Sequence, residues 1–179
     1  TTATAAASRC DLGADVVTVR SWPRRHTVVM SCVAEVVVDP GTPAAALDAA
    51  VARLHELEAR WSRFRPDSDL GRLNAAVGAP VIVDPSTIRL LVEMASGTIA
   101  TDGAFDPTVL DVLVGLGRGP AWCEPVAAGS LALGPRLGRW CDDVDVDPVA
   151  GTVRVPAGVH LDPGGIGKGL AADLVVDQL

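Results

Sequence analysis

The glycine-rich segment LDPGGIGKG, Leu161 to Gly169, is the part of the sequence that most limits the fold. It places four glycines and one proline around Lys168, the only lysine in the chain. Apolar residues then recur at the spacing of an amphipathic helix: Leu170, Ala171, Leu174 and Val175. The segment therefore predicts a turn that leads into a helix, with glycines that let the backbone approach a ligand closely.

The loop is predicted to bind an anion, but not in the manner of a nucleoside triphosphatase. That class needs the pattern G-x-x-x-x-G-K-[ST], and here Asp162 stands at the first glycine position while Gly169 follows Lys168. A cation in the first turn of a helix opposes the helix dipole unless an anion lies nearby. This conflict favours a functional loop over the alternative, a plain connection between strand and helix.

Composition bounds the class of protein. The chain has 179 residues, of which 49% are hydrophobic, so one domain with a sizeable core is predicted. The net charge of -7 indicates no nucleic-acid partner. The arginines cluster only at Arg20–Arg25 and Arg60–Arg72, and both clusters are predicted to be solvated. Four scattered cysteines without a CxxC pair predict neither a zinc site nor a disulfide framework.

Localisation is predicted from the absence of targeting signals. No apolar run reaches the roughly 18 residues of a membrane span, and the start TTATAAASRC has no charged region followed by an apolar one. A cytoplasmic protein is the prediction, and an exported protein whose leader has been removed is the alternative.

The order of predicted elements indicates an α/β (α+β) fold, a mixed sheet with flanking helices. His26–Asp39 is rich in β-branched residues and predicts one long, largely buried strand, with Asp15–Arg20 as a partner. The pairs Thr42-Pro43 and Asp84-Pro85 each predict a helix start, with the first residue as cap and the proline at the first helical position.

Apolar spacing predicts the core face of each helix. These faces are Leu47, Val51, Leu54, Leu57 and Trp61 in the first, and Ile88, Leu91, Met94, Ala95 and Ile99 in the second. PVIVD predicts a short strand, Gly117–Gly138 an irregular segment, and Asp142–Pro156 a hairpin that turns at Pro148–Gly151.

Two further segments are unremarkable alone. In RFRPDSDLGRLN, Asp67 and Ser68 are ready caps for a short helix, and Asn74 is typical of a helix end. In GAFDPTV, Asp106 before a proline is typical of a helix cap.

Three segments, taken in order, resemble the motifs of the ApbE family, the FAD:protein FMN transferases. These segments are FRPDSDLGRLN, GAFDPTV and LDPGGIGKGLAAD. The resemblance covers roughly residues 28–179. It implies an ApbE-like (T-fold-like) domain that is incomplete at the C-terminus, with residues 1–25 as an N-terminal extension and 26–179 as the N-terminal part of the domain.

The resemblance also implies an activity and a site. Family members transfer FMN from FAD to a threonine or serine of a target flavoprotein, with Mg²⁺, and release AMP. The matching positions imply that FAD contacts Met30, Phe64, Ala104, Phe105, Asp106, Asp162 and Lys168, and that the carbonyl of Gly165 is a metal ligand.

Departures from the family pattern leave alternatives open. Met30-Ser31-Cys32 stands where the family often has Met-Gly-Thr, and Phe64 where a tyrosine is common. The second half of a family member normally carries the side-chain metal ligands, and its motifs do not occur here. A non-catalytic FAD-binding module and an inactive remnant are the alternatives, which AMP release and a cooperative melting transition would distinguish.

Overall fold

The computed structural model describes residues 22–120 and 143–179. Five helices and five strands lie in this part of the chain. The helices are α1 (Ala44–Trp61), α2 (Asp69–Ala75), α3 (Pro85–Ala100), α4 (Leu110–Gly115) and α5 (Gly167–Val176). The strands are β1 (Arg24–Val29), β2 (Cys32–Val37), β3 (Val81–Ile82), β4 (Asp145–Asp147) and β5 (Thr152–Arg154).

The prediction of one long buried strand over residues 26–39 is wrong, because β1 and β2 form an antiparallel hairpin. The chain reverses at Met30 and Ser31, whose φ angles are 51° and 61°. Two-residue turns with two positive φ angles usually contain Asn-Gly or another glycine pair, so Met-Ser carries no turn signal. The outer face of the hairpin is also exposed, at 69% for Val28 and 72% for Val33.

A contact from α1 explains how this turn is held. Oε1 of Glu58 accepts a hydrogen bond of 2.6 Å from the backbone N–H of Met30. The thiol of Cys32 donates to the carbonyl of Val29 at 3.2 Å. These tertiary and local bonds offset the left-handed backbone, which costs a residue with a side chain about 1–2 kcal/mol.

We expect Ser31→Gly to raise the free energy of unfolding by about 0.5–1 kcal/mol, because glycine adopts a positive φ without a steric cost. Urea denaturation of the two chains measures the difference. Ser96→Gly, inside α3, is the matched control and should lower stability by about 1 kcal/mol. A Ser31→Gly chain no more stable than the original would mean that the turn is unstrained.

Helix α1 supplies much of the core. Leu47, Leu54, Leu57 and Trp61 are buried as predicted, whereas Val51 is only partly buried. The predicted cap is wrong: Pro43 precedes the first helical residue, and no side chain caps the helix. The N–H of Thr42 instead donates to the carbonyl of Asp39 at 3.0 Å, in a turn before the helix.

The caps predicted at Ser68 and Asp84 are confirmed, whereas Asp67, the other candidate beside Ser68, does not cap α2. Oγ of Ser68 accepts from the N–H of Gly71 at 2.8 Å, and Oδ1 of Asp84 accepts from the N–H of Ser86 at 2.9 Å. Burial works to raise the pKa of Asp84, but the hydrogen bonds from Ser86 and the charge of Arg60 outweigh it, so this pKa lies below its ordinary value. The capping carboxylate is therefore ionised at neutral pH. The stability that it contributes is complete above its ordinary pKa and is lost as the pH falls through the lowered one.

The predicted face of α3 is right at Leu91 and Met94 and wrong at Ile99, which is 74% exposed. Near the end of that helix Thr98 is buried instead.

The predicted hairpin near residue 150 and the short strand in PVIVD are confirmed as a three-stranded antiparallel sheet in the order β3-β5-β4. Oδ1 of Asp147 accepts from the N–H groups of Val149 and Ala150 in the turn. The hairpin β1–β2 is a separate sheet. The α+β class with flanking helices is confirmed, while every strand pair within residues 22–120 and 143–179 is antiparallel, so one mixed sheet is not seen there.

The core lies where α1 meets the hairpin, α2, α3 and α5. Leu57, Leu90, Val153 and Leu161 are fully buried in it.

No helix in the described part of the chain has the length and apolar character to cross a membrane. The predicted strand at residues 15–20 and most of the predicted irregular segment at 117–138 lie outside the described residues.

Candidate functional site

The glycine-rich segment forms a tight turn that enters α5 as predicted. The carbonyl of Pro163 accepts from the N–H groups of Ile166 and Gly167, at 3.0 and 2.8 Å. No side chain caps the first turn of α5. Leu170, Ala171 and Val175 of the predicted apolar face are buried. The backbone therefore turns sharply at the glycines, and Lys168 lies in the first turn of the helix.

Asp162 anchors the beginning of this loop. It is 8% exposed, and its Oδ1 accepts from the N–H of Gly164 at 3.2 Å. Its Oδ2 lies 2.9 Å from Nη1 of Arg63, at ion-pair distance but without hydrogen-bond alignment. Its own N–H donates to the carbonyl of Pro107 at 2.7 Å. Asp162 thus connects the loop with both of the other motif segments.

Asn74 holds the residue before Asp162. Its Oδ1 accepts from the N–H of Leu161 at 2.8 Å, and its Nδ2 donates to the carbonyl of Leu161 at 2.9 Å. The Asn74 side chain therefore pairs with the backbone as a neighbouring strand would. Its prediction as a helix-end residue accounts for its position at the end of α2, but not for its burial at 5% exposure.

Phe105 supports the loop from the other side. A Cβ atom on Gly165 would lie 2.8 Å from Cε2 of Phe105, and one on Gly97 would lie 2.6 Å from Cδ1 of Ile166 and 3.2 Å from Cδ1 of Phe105. The distances of 2.8 and 2.6 Å are too short for real Cβ contacts, and 3.2 Å is a tight one, so glycine at these positions lets the ring, the loop and α3 approach each other. Phe105 thus packs behind the loop.

Asp106 forms a local turn. Its Oδ1 accepts from the N–H and the hydroxyl of Thr108, at 2.8 and 2.7 Å. The bond to the N–H is of the predicted capping kind, although α4 begins only at Leu110. Ala104 is exposed.

A cavity of about 290 Å³ opens beside the loop. Four of the predicted site residues line it: Met30, Phe64, Asp162 and Lys168. Ala104, Phe105 and Asp106 are not among its lining residues, so their contact with a ligand stays a prediction. The volume lies near the lower end of the range for small-molecule pockets, about 300–1,000 Å³.

The cavity wall also includes charged and polar side chains that the sequence analysis did not assign to the site, among them Glu58, Trp61 and Arg63. Arg63 belongs to an arginine cluster that was predicted to be solvated, yet its side chain is only 16% exposed. Its Cζ also lies 4.8 Å from the centre of the Phe64 ring. Residue type and spacing gave no signal for Arg63, because its ion-pair partner is remote in sequence.

Lys168 is the free cation at this cavity. Lys168 is exposed, and its side chain forms no hydrogen bond or ion pair within the described residues. The two basic side chains in the wall therefore differ: Arg63 is paired with Asp162, while Lys168 is available to an anion.

The residues near Gly165 do not by themselves fit a magnesium ion. Mg²⁺ requires about six oxygen ligands, and the carbonyl of Gly165 would supply one. In the described part of the chain no group of three or more His, Cys, Asp or Glu side chains is placed to hold a metal. The nearby carboxylate of Asp162 is already paired with Arg63.

The first and third motif segments thus meet at one cavity. The second segment contacts the third outside the cavity wall, through Phe105 and Pro107. The sequence model of the ApbE family matches residues 27–179. The chain belongs to the ApbE family. No curated protein sequence matches it.

Solved ApbE structures share its fold. An ApbE protein from Thermotoga maritima aligns with a TM-score of 0.70 at 23% identity, and the flavinyl transferase ApbE of Pseudomonas stutzeri with 0.70 at 22%. The flavin transferase ApbE of Vibrio cholerae gives 0.64 at 21%. Each alignment covers 88% of this chain and 52% of the other, so this chain spans about half the length of these ApbE proteins. The predicted ApbE-like architecture is confirmed.

Proposed function

We propose that this ApbE chain binds FAD at the cavity and serves in FAD:protein FMN transfer. One observation carries the proposal: separate segments bring Met30, Phe64, Asp162 and Lys168 to a single cavity. The names of the Pseudomonas stutzeri and Vibrio cholerae proteins, flavinyl transferase and flavin transferase, support it. This chain covers only 52% of each of those proteins, so their activity enters here as part of the proposal.

The wall of the cavity suits a flat, conjugated ring next to a charged group. Phe64 is 53% exposed and offers an aromatic face to a stacked ring. Met30 lies on the same cavity and supplies a polarisable thioether. In the proposal these two side chains hold the flavin.

The phosphates of FAD would lie toward α5. The first backbone N–H groups of a helix point along its axis and attract anions, and Lys168 adds a free positive charge in the same turn. Lys168 would otherwise oppose the helix dipole. A bound diphosphate resolves this conflict, which gives the only lysine of the chain a role.

In the proposed reaction, the hydroxyl oxygen of a threonine or serine in the acceptor flavoprotein attacks the phosphorus of the FMN half. The bond between that phosphorus and the bridging oxygen breaks, and AMP leaves. The hydroxyl proton is released during the attack. Mg²⁺ is proposed as a requirement to be measured, although the described residues do not by themselves fit its site.

FAD binding is the direct test. We expect saturable quenching of flavin fluorescence when the 179-residue chain is titrated into FAD. Lys168→Gln should weaken the affinity about tenfold, since a charge-assisted bond to phosphate contributes about 1.5 kcal/mol. The matched control is Arg89→Gln on α3, whose exposed side chain pairs with Glu93; its affinity should equal that of the original chain.

The FAD titration and an assay of AMP release together separate the alternatives. AMP release in the presence of Mg²⁺ and an acceptor protein supports the transferase, while binding without release indicates a non-catalytic FAD-binding module. A chain that melts cooperatively and does not bind FAD would contradict the proposal.

A further inference from the structure

Arg63, in the wall of the cavity, contacts three separate parts of the chain. Its Nη1 is 2.9 Å from Oδ2 of Asp162 in the glycine-rich loop. Its Nη2 donates to the carbonyl of Arg118, beyond the end of α4, at 3.3 Å. Its guanidinium lies over the ring of Phe64 at 4.8 Å. One side chain thus contacts the loop, the turn after α4 and an aromatic residue of the cavity wall.

The ion pair with Asp162 is shielded from water. The side chains of Arg63 and Asp162 are 16% and 10% exposed. A carboxylate in such a place needs an opposite charge, because its solvation is lost. Arg63 is the one cation that the described residues place beside Asp162, and Oδ1 of the same carboxylate is bound to the N–H of Gly164.

The orientation of the loop depends on this carboxylate. Arg63 attracts Oδ2, which turns Oδ1 toward the N–H of Gly164, two residues further along the chain. Without the guanidinium, Asp162 would be a shielded charge with one hydrogen bond, and it would rotate toward water. The bond to Gly164 would then break, and the loop would lose a restraint ahead of Lys168.

We propose that Arg63 is a positioning residue, which fixes the carboxylate of Asp162 and, through it, holds the glycine-rich loop in the conformation that binds FAD. The role in FAD binding rests on the function proposed above. Arg63 acts through Asp162 and not by contact with the ligand, and this distinction is what the experiment measures.

The experiment is a double-mutant cycle with Arg63→Met, Asp162→Asn and the double variant. FAD affinity is measured by flavin fluorescence, and amide hydrogen exchange is followed in residues 164–169. We expect Arg63→Met to weaken FAD binding about tenfold, an effect within the usual range for coupled residues, and to speed exchange in the loop. In the Asp162→Asn background the same replacement should have no further effect on either quantity.

Two further variants serve as controls for the charge and for the position of Arg63. Arg63→Lys keeps the charge and should recover most of the affinity. Arg65→Met makes the same chemical change two residues away, where the side chain is exposed and pairs with exposed Asp67; affinity and exchange should stay unchanged. A melting curve for each variant shows that it is folded.

Three outcomes overturn the inference. Unchanged affinity and loop exchange in Arg63→Met would remove any positioning role. An equal loss of affinity in the Asp162→Asn background would show that Arg63 contacts the ligand directly. If the unaltered chain does not bind FAD, the proposed function fails, and amide hydrogen exchange in residues 164–169 alone tests the inference. Exchange in Arg63→Met that is as slow as in the unaltered chain overturns it. Faster exchange than in the unaltered chain, in both single variants, supports it.

Discussion

Replacing Asn74 with alanine is expected to lower the free energy of unfolding by about 2–5 kcal/mol, because two buried backbone groups lose their partner and each such loss costs about 1–3 kcal/mol. Both groups belong to Leu161, which is fully buried, so water cannot replace the amide. Urea denaturation, monitored by tryptophan fluorescence, gives the difference.

Asn74→Ala should also disturb the glycine-rich loop, because Leu161 directly precedes Asp162 at the beginning of that loop. FAD affinity in Asn74→Ala should therefore fall under conditions in which the variant is still folded. Gln178→Ala truncates an exposed amide near the end of the chain and is the control, with stability within about 0.5 kcal/mol of the original. If Asn74→Ala were equally harmless, the two hydrogen bonds to Leu161 would have no net value.

Asp69→Ala is expected to destabilise the chain by about 2–4 kcal/mol, because the buried carboxylate satisfies groups that cannot reach water. Its Oδ2 accepts from the N–H of Asp84 at 2.9 Å and from the hydroxyl of Thr87 at 2.7 Å. Thr87 is fully buried. Arg72, the third partner, is half-exposed and regains water when the carboxylate is removed.

Asp67→Ala provides a close control for this prediction. Asp67 lies two residues before Asp69, carries the same carboxylate, and pairs with Arg65 on the surface. Exposed ion pairs contribute about 0–1 kcal/mol, so the urea midpoint should hardly change. A similar loss for both variants would mean that general charge in this segment, and not the buried hydrogen bonds, determines its stability.

Several features of the fold that depend on local chemistry were predictable from the sequence, although the cap predicted at Thr42 was not among them. Ser68 and Asp84 cap their helices because their side chains reach N–H groups two or three residues ahead. The hairpin near Gly151 carries a proline, an aspartate and a glycine where a turn needs them. In each case the residue and its partner lie within one turn of the backbone.

Features that depend on remote partners were not predictable. The reversal at Met30-Ser31 is held by a hydrogen bond to Glu58 on α1. No sequence pattern in the hairpin itself predicts this bond. Arg63 resembles a surface arginine until the fold brings Asp162 to it. Burial of both charges is a property of the folded chain and not of either segment alone.

The candidate site was predicted by motif resemblance more than by physics. That resemblance indicated which segments meet, and the structure brings Met30, Phe64, Asp162 and Lys168 to one cavity. It did not indicate that Phe105 packs behind the loop against Gly165 and does not line the cavity. Such a packing role follows from the close approach of ring and backbone, which a sequence does not record.

The pairing of Asn74 with Leu161 has a consequence for how the protein is made, since 87 positions separate the two residues. A contact of this separation forms late, because the chain must first close a large loop. During translation α1 and α2 leave the ribosome long before their partner at Leu161 is synthesised. The cavity is therefore completed only after Leu161 and the loop that follows it have been synthesised, and a nascent chain released before Leu161 would carry Met30 and Phe64 without a pocket between them.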